Sequence, residues 1–237
     1  MKRKIVYTAL FLTCVIPLFS WAYSGIPLIL QWDWIMEFAP SEVDNLPLLI
    51  HVFSASAYYT LAAVQMLPRV RRNNPGWHRR AGRIAITAGI ASAISSTWIT
   101  VIHHDVQGPI LFYGRVVFGP LWAYCLTMGL IAARREMYRE HREWMIRAFS
   151  IAMPASTLVI MILPFHLFLD QVPEILEDSV QSGAWVLHLG IAEYFIRKTR
   201  STNHNGVKKR TSNAIESNTT GIHDTGSLAN GVRVTKL

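Results

Sequence analysis

The sequence predicts an all-α fold, an integral membrane bundle of six transmembrane helices with spans two to five as its core. Three observations carry that prediction. Of 237 residues, 51% are hydrophobic and only 16% charged, whereas an ordinary soluble domain is about 25% charged. Uncharged stretches recur at the length a bilayer demands, about 20 residues for a hydrocarbon core of roughly 30 Å. Lys and Arg, Arg115 apart, keep to alternate loops and the termini, the asymmetry that orients membrane helices.

The first uncharged stretch, 5–32, makes residues 1–31 a first transmembrane helix. Lys2 to Lys4, the apolar run and the small residues Ser20 and Ala22 also resemble a secretory signal cleaved after Ala22. The run continues through Ile26 to Leu30, however, beyond the usual core of about 7 to 15 residues. A five-helix bundle over 45–197 follows, from the stretches 45–68, 84–104, 106–133 (interrupted only by Arg115) and 148–169, with 179–196 as the sixth span. That last stretch contains His188 and Glu193, and Glu193 can pair with Arg197 four residues on. From 198 to 237 the chain turns to Ser, Thr, Asn and Gly, too polar to build a core, and reads as a disordered cytoplasmic tail.

A formal charge of +8 would ordinarily suggest nucleic acid, but the placement of the charges removes that partner. Lys2, Arg3 and Lys4 precede span one, six arginines from Arg69 to Arg83 lie between spans two and three, and Arg134 to Arg147 bracket the next loop on that side. The opposite loops hold Asp33, Glu37, Glu42, Asp44, Asp105, Asp170, Glu174, Glu177 and Asp178 without a base. Both termini are therefore expected in the cytoplasm. Cys14 and Cys125 lie in apolar runs and form neither a disulfide framework nor a thiolate cluster.

Polar residues at bilayer depth are costly and point to function. On span two, His51, Tyr58 and Gln65 recur every seven residues and so share one helical face, turned to the bundle. Ala88, Ser92 and Ser96, with Gly89 and Ala93 alongside, give span three a small-residue face for close helix packing.

The histidines form two layers. His51, His103, His104, His166 and His188 lie near the acidic loops; His78 and His141 lie near the basic ones. His78 to His103 and His141 to His166 are both 25 residues, roughly 37 Å of helix, so spans three and five look like counterparts. The outer layer supplies imidazoles from four helices for haem b, with His51 and His166 the favoured axial pair and Arg115 able to offset a propionate. Arg115 equally suits plain snorkelling, with Asp105 as partner. In the inner layer His78, Arg79 and Arg83 lead span three, and His141, Arg142 and Arg147 lead span five. Paired His and Arg at helix starts suit an anionic headgroup or a cofactor's propionates; the same charges also serve orientation alone.

His51 with Gln65-Met66-Leu67-Pro68-Arg69, Trp77-His78-Arg79-Arg80-Ala81-Gly82-Arg83, Arg115, and His141-Arg142-Glu143-Trp144-Met145-Ile146-Arg147 together resemble an uncharacterised multi-pass membrane family, a domain of unknown function. The resemblance covers roughly 47–170 and implies a helical membrane bundle without assigning an activity. A vaguer likeness is to cytochrome b561-type proteins, which place haem-ligating histidines on four core helices. Span four has no histidine, so that ligand scheme does not transfer.

No HExxH, GxSxG, P-loop or aspartate-rich magnesium motif is present, and no catalytic residue is assigned. Three classes remain: a b-haem or quinone-linked redox protein, and with it a membrane oxidoreductase or electron carrier; a transporter or small-molecule-binding protein; and a lipid-binding or assembly subunit. The expected partners are the bilayer itself and, beyond it, anionic lipid headgroups or quinone.

Overall fold

Proline opens four of the helices in this chain: Pro68, Pro75, Pro109 and Pro154 each stand in a first turn, where the missing N–H costs nothing and the fixed φ favours helix. The computed structural model describes residues 45–104, 108–169 and 171–228. In order these form α1 (Asn45–Gln65), α2 (Pro68–Asn73), α3 (Pro75–Ile102), α4 (Pro109–Arg134), α5 (Tyr138–Ala152), α6 (Pro154–Phe168) and α7 (Glu174–Leu228). No strand occurs among the described residues. The first expected span and the acidic segment 33–44 lie outside them, as does Asp105.

Among the described residues, three helices are long and apolar enough to cross a membrane: Leu46–Gln65, Pro75–Ile102 and Pro109–Arg134. They are the expected spans two, three and four. The fifth expected span, 148–169, is divided between the end of α5 and the whole of α6. Met153 between them keeps helical angles (φ −56°, ψ −37°), so the chain does not turn there. Pro154 simply has no N–H to return to Ser150, and Pro164 repeats the omission ten residues later inside α6. The sixth stretch, 179–196, lies within α7, whose first turn carries Glu174 and Glu177 at the positive end of the helix dipole.

The chain divides into two units, Met1–Ala192 and Glu193–Leu237. The second is helical through Leu228, where composition predicts a tail. A helix already nucleated propagates without paying nucleation again, and Ser, Thr and Asn cost only fractions of a kcal/mol per residue.

Within the first unit, α1 and α3 pack antiparallel through the stripe and the small-residue face read from sequence. Three successive levels of α1 meet small residues of α3: His51 meets Ser92, Tyr58 meets Gly89 and Gln65 meets Gly82. A methyl group at Gly89 would come within 2.8 Å of the Tyr58 ring and 2.7 Å of Leu126 on α4, so this glycine is where three helices converge. Gly119 repeats the device between α4 and α3, lying directly against the Thr97 hydroxyl. The core closes around Tyr58, Tyr59, Trp122, Cys125, Leu126 and Phe149. Its aromatic members meet edge to face, Tyr58 on Trp122 at 5.0 Å.

Hydroxyls inside the spans satisfy themselves on carbonyls one turn back, as Ser56 does on Val52 (2.7 Å), Ser95 on Ala91 (2.8 Å) and Thr100 on Ser96 (2.9 Å). Tyr59 reaches across to donate to the Ala152 carbonyl at 2.6 Å, and Trp185 donates to Ile151 at 3.1 Å. Phe53, Ile94, Trp98, Val117 and Leu187 remain exposed, which suits helices whose outer surface meets lipid rather than water.

Candidate functional site

Two helical hairpins position the inner layer. In the first, α1 ends at Gln65, α2 makes a single-turn link, and His78 is the fourth residue of the returning α3. In the second, α4 ends at Arg134, three residues form the turn, and His141 is the fourth residue of the returning α5. The turn closes on Glu136, whose φ of 58° puts it in the left-handed region. The fold thus repeats one placement twice, and it brings the two histidines within electrostatic reach of one another, with Arg71 a third charge acting on His78.

Their hydrogen bonding differs. His141 Nδ1 lies 2.8 Å from the Gly129 main-chain oxygen; a carbonyl only accepts, so the nitrogen there carries the proton. Among the described residues His78 Nδ1 is buried with no hydrogen-bond partner, as are the side-chain amide nitrogen of Gln65 and the indole nitrogen of Trp122 on α4. Gln65 stands opposite Gly82, one turn beyond His78 on the same helix, its Oε1 3.6 Å from where a methyl group at Gly82 would lie. A buried polar nitrogen without a partner costs about 1 to 3 kcal/mol. Gln65 Nε2 on α1 is a donor, and His78 Nδ1 on α3 is one in the tautomer that carries its proton there.

The arginines named from sequence surround rather than fill this place. Arg79, Arg83 and Arg142 are exposed. Arg147 is half-buried and lays its guanidinium over the Trp144 ring at 4.8 Å, and Trp144 in turn meets Tyr124 edge to face. Between His141 and Arg147, Glu143 is buried, with Arg139 Nε 3.4 Å from its carboxylate. In sequence Gln65 belongs to the stripe on α1, Arg71 to the arginines between spans two and three, and Glu143 to the His-Arg segment 141–147; none of the three stands out there as part of this site.

The outer layer is less gathered. His51 Nδ1 lies 3.1 Å from the Ser92 carbonyl oxygen and 3.3 Å from its hydroxyl, so in the neutral ring the proton is on Nδ1 and the lone pair on Nε2. His188 Nδ1 donates to the Ala184 carbonyl at 2.7 Å, and its Nε2 lies 3.3 Å from the Thr157 hydroxyl, whose proton is directed to the Met153 carbonyl. His103 ends α3, half-buried, and His104 is exposed. His166 is on α6, and its side chain lies outside the described residues. Arg115 is half-buried on α4, within electrostatic reach of His51. Asp178 of α7 is one carboxylate that acts on it; Asp105, the partner that sequence proximity suggests, lies outside the described residues. Asp178 is buried and abuts Gly108 at the start of α4 so closely that no side chain fits at position 108. Among the described residues no group of three or more His, Cys, Asp or Glu is arranged to hold a metal ion.

No curated protein and no solved structure matches the chain, and the likeness to cytochrome b561-type proteins finds no support in these comparisons. Residues 48–196, from the start of α1 into α7, match a family model described as "Predicted membrane protein (DUF2306)". That stretch holds both hairpins and every residue of the two layers, and the chain is a member of the DUF2306 family of membrane proteins.

Proposed function

We propose that this chain is a ligand-binding membrane protein, a small-molecule or lipid binder without catalysis, whose site lies at the inner ends of α1, α3 and α5. Six spans cross the bilayer, with 5–32 preceding the described helices, α5 and α6 together making the fifth and the opening of α7 the sixth. Both termini are cytoplasmic. The observation that carries the reading is the pair of buried, unpartnered nitrogens on Gln65 and His78 beside His141. An acceptor-bearing ligand satisfies both nitrogens at once, and Arg71 and His141 favour one that is anionic.

Thermal unfolding of the full chain in mild detergent tests this. Acceptor-rich anionic ligands should raise the midpoint of the wild type and leave that of Gln65→Leu or His78→Phe where it was. Equal shifts in all three proteins refute the site. Topology is tested separately, by an impermeant thiol reagent on a background lacking Cys14 and Cys125. Glu174→Cys should react in intact cells, and Asn73→Cys should react only after lysis; the reverse pattern inverts the bundle.

A second reading, redox through haem b, is favoured by one feature: His51 is held by a main-chain carbonyl through Nδ1, the support usual for a metal-ligating imidazole. His166 on α6 would be its partner, and Arg115 the charge for a propionate; bound haem would supply one-electron chemistry. Protein from haem-replete cells should then show a Soret band that shifts with dithionite and is lost in His51→Ala and His166→Ala. A colourless, monodisperse preparation rejects it.

A further inference from the structure

We infer that the acceptor completing Gln65 and His78 is a phosphate oxygen, and that it belongs to an anionic phospholipid of the cytoplasmic leaflet. The inference rests on the ligand-site reading above. Its first support is depth. Gln65 is the last residue of a 21-residue helix, roughly 31 Å long and so about the thickness of the hydrocarbon core. His78 precedes the uncharged stretch that begins at Ile84. The two unpartnered nitrogens therefore lie where chains give way to headgroups, too shallow for a ligand held at mid-membrane.

The aromatic residues mark the same level independently. Trp77 stands immediately before His78, and Tyr138 one turn before His141. Both are exposed, at 44% and 69%. Trp and Tyr favour the headgroup boundary, where one end of the ring system is wet and the other apolar. A lipid phosphate at that depth needs no path through water to reach the site.

Charge identifies the chemistry. Arg71 carries a fixed positive charge that acts on His78, and Arg69, Arg72, Arg79, Arg80 and Arg83 are all exposed nearby in sequence. A neutral carbonyl would satisfy the two donors but gain nothing from that field, whereas a phosphate oxygen takes charge-assisted hydrogen bonds from both. The exposed arginines then concentrate anionic lipid, each adding about 1 kcal/mol of screened attraction to an anionic surface, and the buried pair selects and holds one headgroup.

Quenching of the chain's tryptophan fluorescence in mild detergent tests the inference. The full chain is titrated with short-chain phosphatidylglycerol, short-chain phosphatidylcholine and inorganic phosphate. Saturable binding of phosphatidylglycerol is expected, about tenfold weaker in Gln65→Leu and in His78→Phe, and restored in part by His78→Gln, which keeps a donor. Thr127→Val on α4, exposed and hydrogen-bonded to its own helix, should bind as the wild type does. The unliganded Gln65→Leu protein should unfold at or above the wild-type midpoint, because the substitution removes an unsatisfied donor; this separates lost binding from lost folding.

Saturable binding of inorganic phosphate with no response to phosphatidylglycerol overturns the lipid source and leaves the ligand site standing. Equal binding of phosphatidylcholine and phosphatidylglycerol overturns the anionic class. Equal losses in Arg79→Ala and Gln65→Leu mean diffuse charge alone holds the lipid. If no acceptor ligand, lipid or otherwise, responds to Gln65→Leu, the ligand site itself is gone.

Discussion

The two hairpins share a plan and differ in what they leave open. Each returns at the same end of the bundle and puts a histidine at the fourth position of the returning helix, with an arginine after it. In α4 and α5 that histidine is spent on the hairpin itself, clamped to the Gly129 carbonyl. In α1 and α3 its counterpart and the facing glutamine are buried and unpartnered. The histidine of one hairpin is held by that hairpin's own carbonyl, and the histidine of the other has no partner for Nδ1 among the described residues. A repeated placement thus separates structure from function, because the same residue type at the same position does both jobs in one molecule.

The sharpest way to break the comparison is at the glycines that let each hairpin close. A methyl group at Gly89 meets the Tyr58 ring and Leu126 at under 3 Å, and a ring cannot bend aside. Gly89→Ala should therefore lose about 1 to 3 kcal/mol, the usual range for overpacking. At Gly129 the obstacle is the terminal methyl of Met145, a flexible side chain. Gly129→Ala should cost less than about 1 kcal/mol. Thermal midpoints in detergent decide it, and equal losses would mean both interfaces are equally rigid.

Next in size is the histidine contrast. His141→Phe removes a 2.8 Å hydrogen bond and should destabilise by about 1 kcal/mol. His78→Phe in unliganded protein removes a donor with nothing to bond and should be neutral or mildly stabilising. Matching losses at both positions would show that His78 has a structural partner after all.

The smallest effect concerns the second turn alone. Glu136 holds φ at 58°, a conformation that costs a residue with a Cβ about 1 to 2 kcal/mol and glycine almost nothing. Glu136→Gly should gain a few tenths to about 1 kcal/mol after glycine's greater freedom in the unfolded chain is counted. No gain would mean that the glutamate side chain itself supports the turn.

Much of the inner hairpin was legible in sequence because its signals are local and periodic. The heptad of His51, Tyr58 and Gln65 gave the face of α1, and the small residues at 89, 92 and 93 gave the face of α3 that receives it; periodicity is a property of one helix, and these two helices are neighbours in the chain. The pairing of the two His-Arg segments was visible as likeness, and the fold brings His78 and His141 within reach of one another. Other features depend on how distant elements dock, which no spacing encodes. That Asp178 acts on Arg115 follows from the seating of α7 on the start of α4, and that His188 meets Thr157 follows from the packing of two separate helices. The division of the fifth span at Pro154 was written in the chain, but hydropathy averages over a window and passes through a proline without registering it.

Gly108 and Asp178, seventy residues apart, constrain one another in evolution. While residue 178 is aspartate, position 108 admits no side chain, and once 108 carries one, 178 must shorten or the two helices must part. The two sites are a single unit of variation. Across the family a residue other than glycine at 108 should appear only in company with glycine, alanine or serine at 178, and a sequence pairing a large residue at 108 with aspartate at 178 would show that α7 docks differently there.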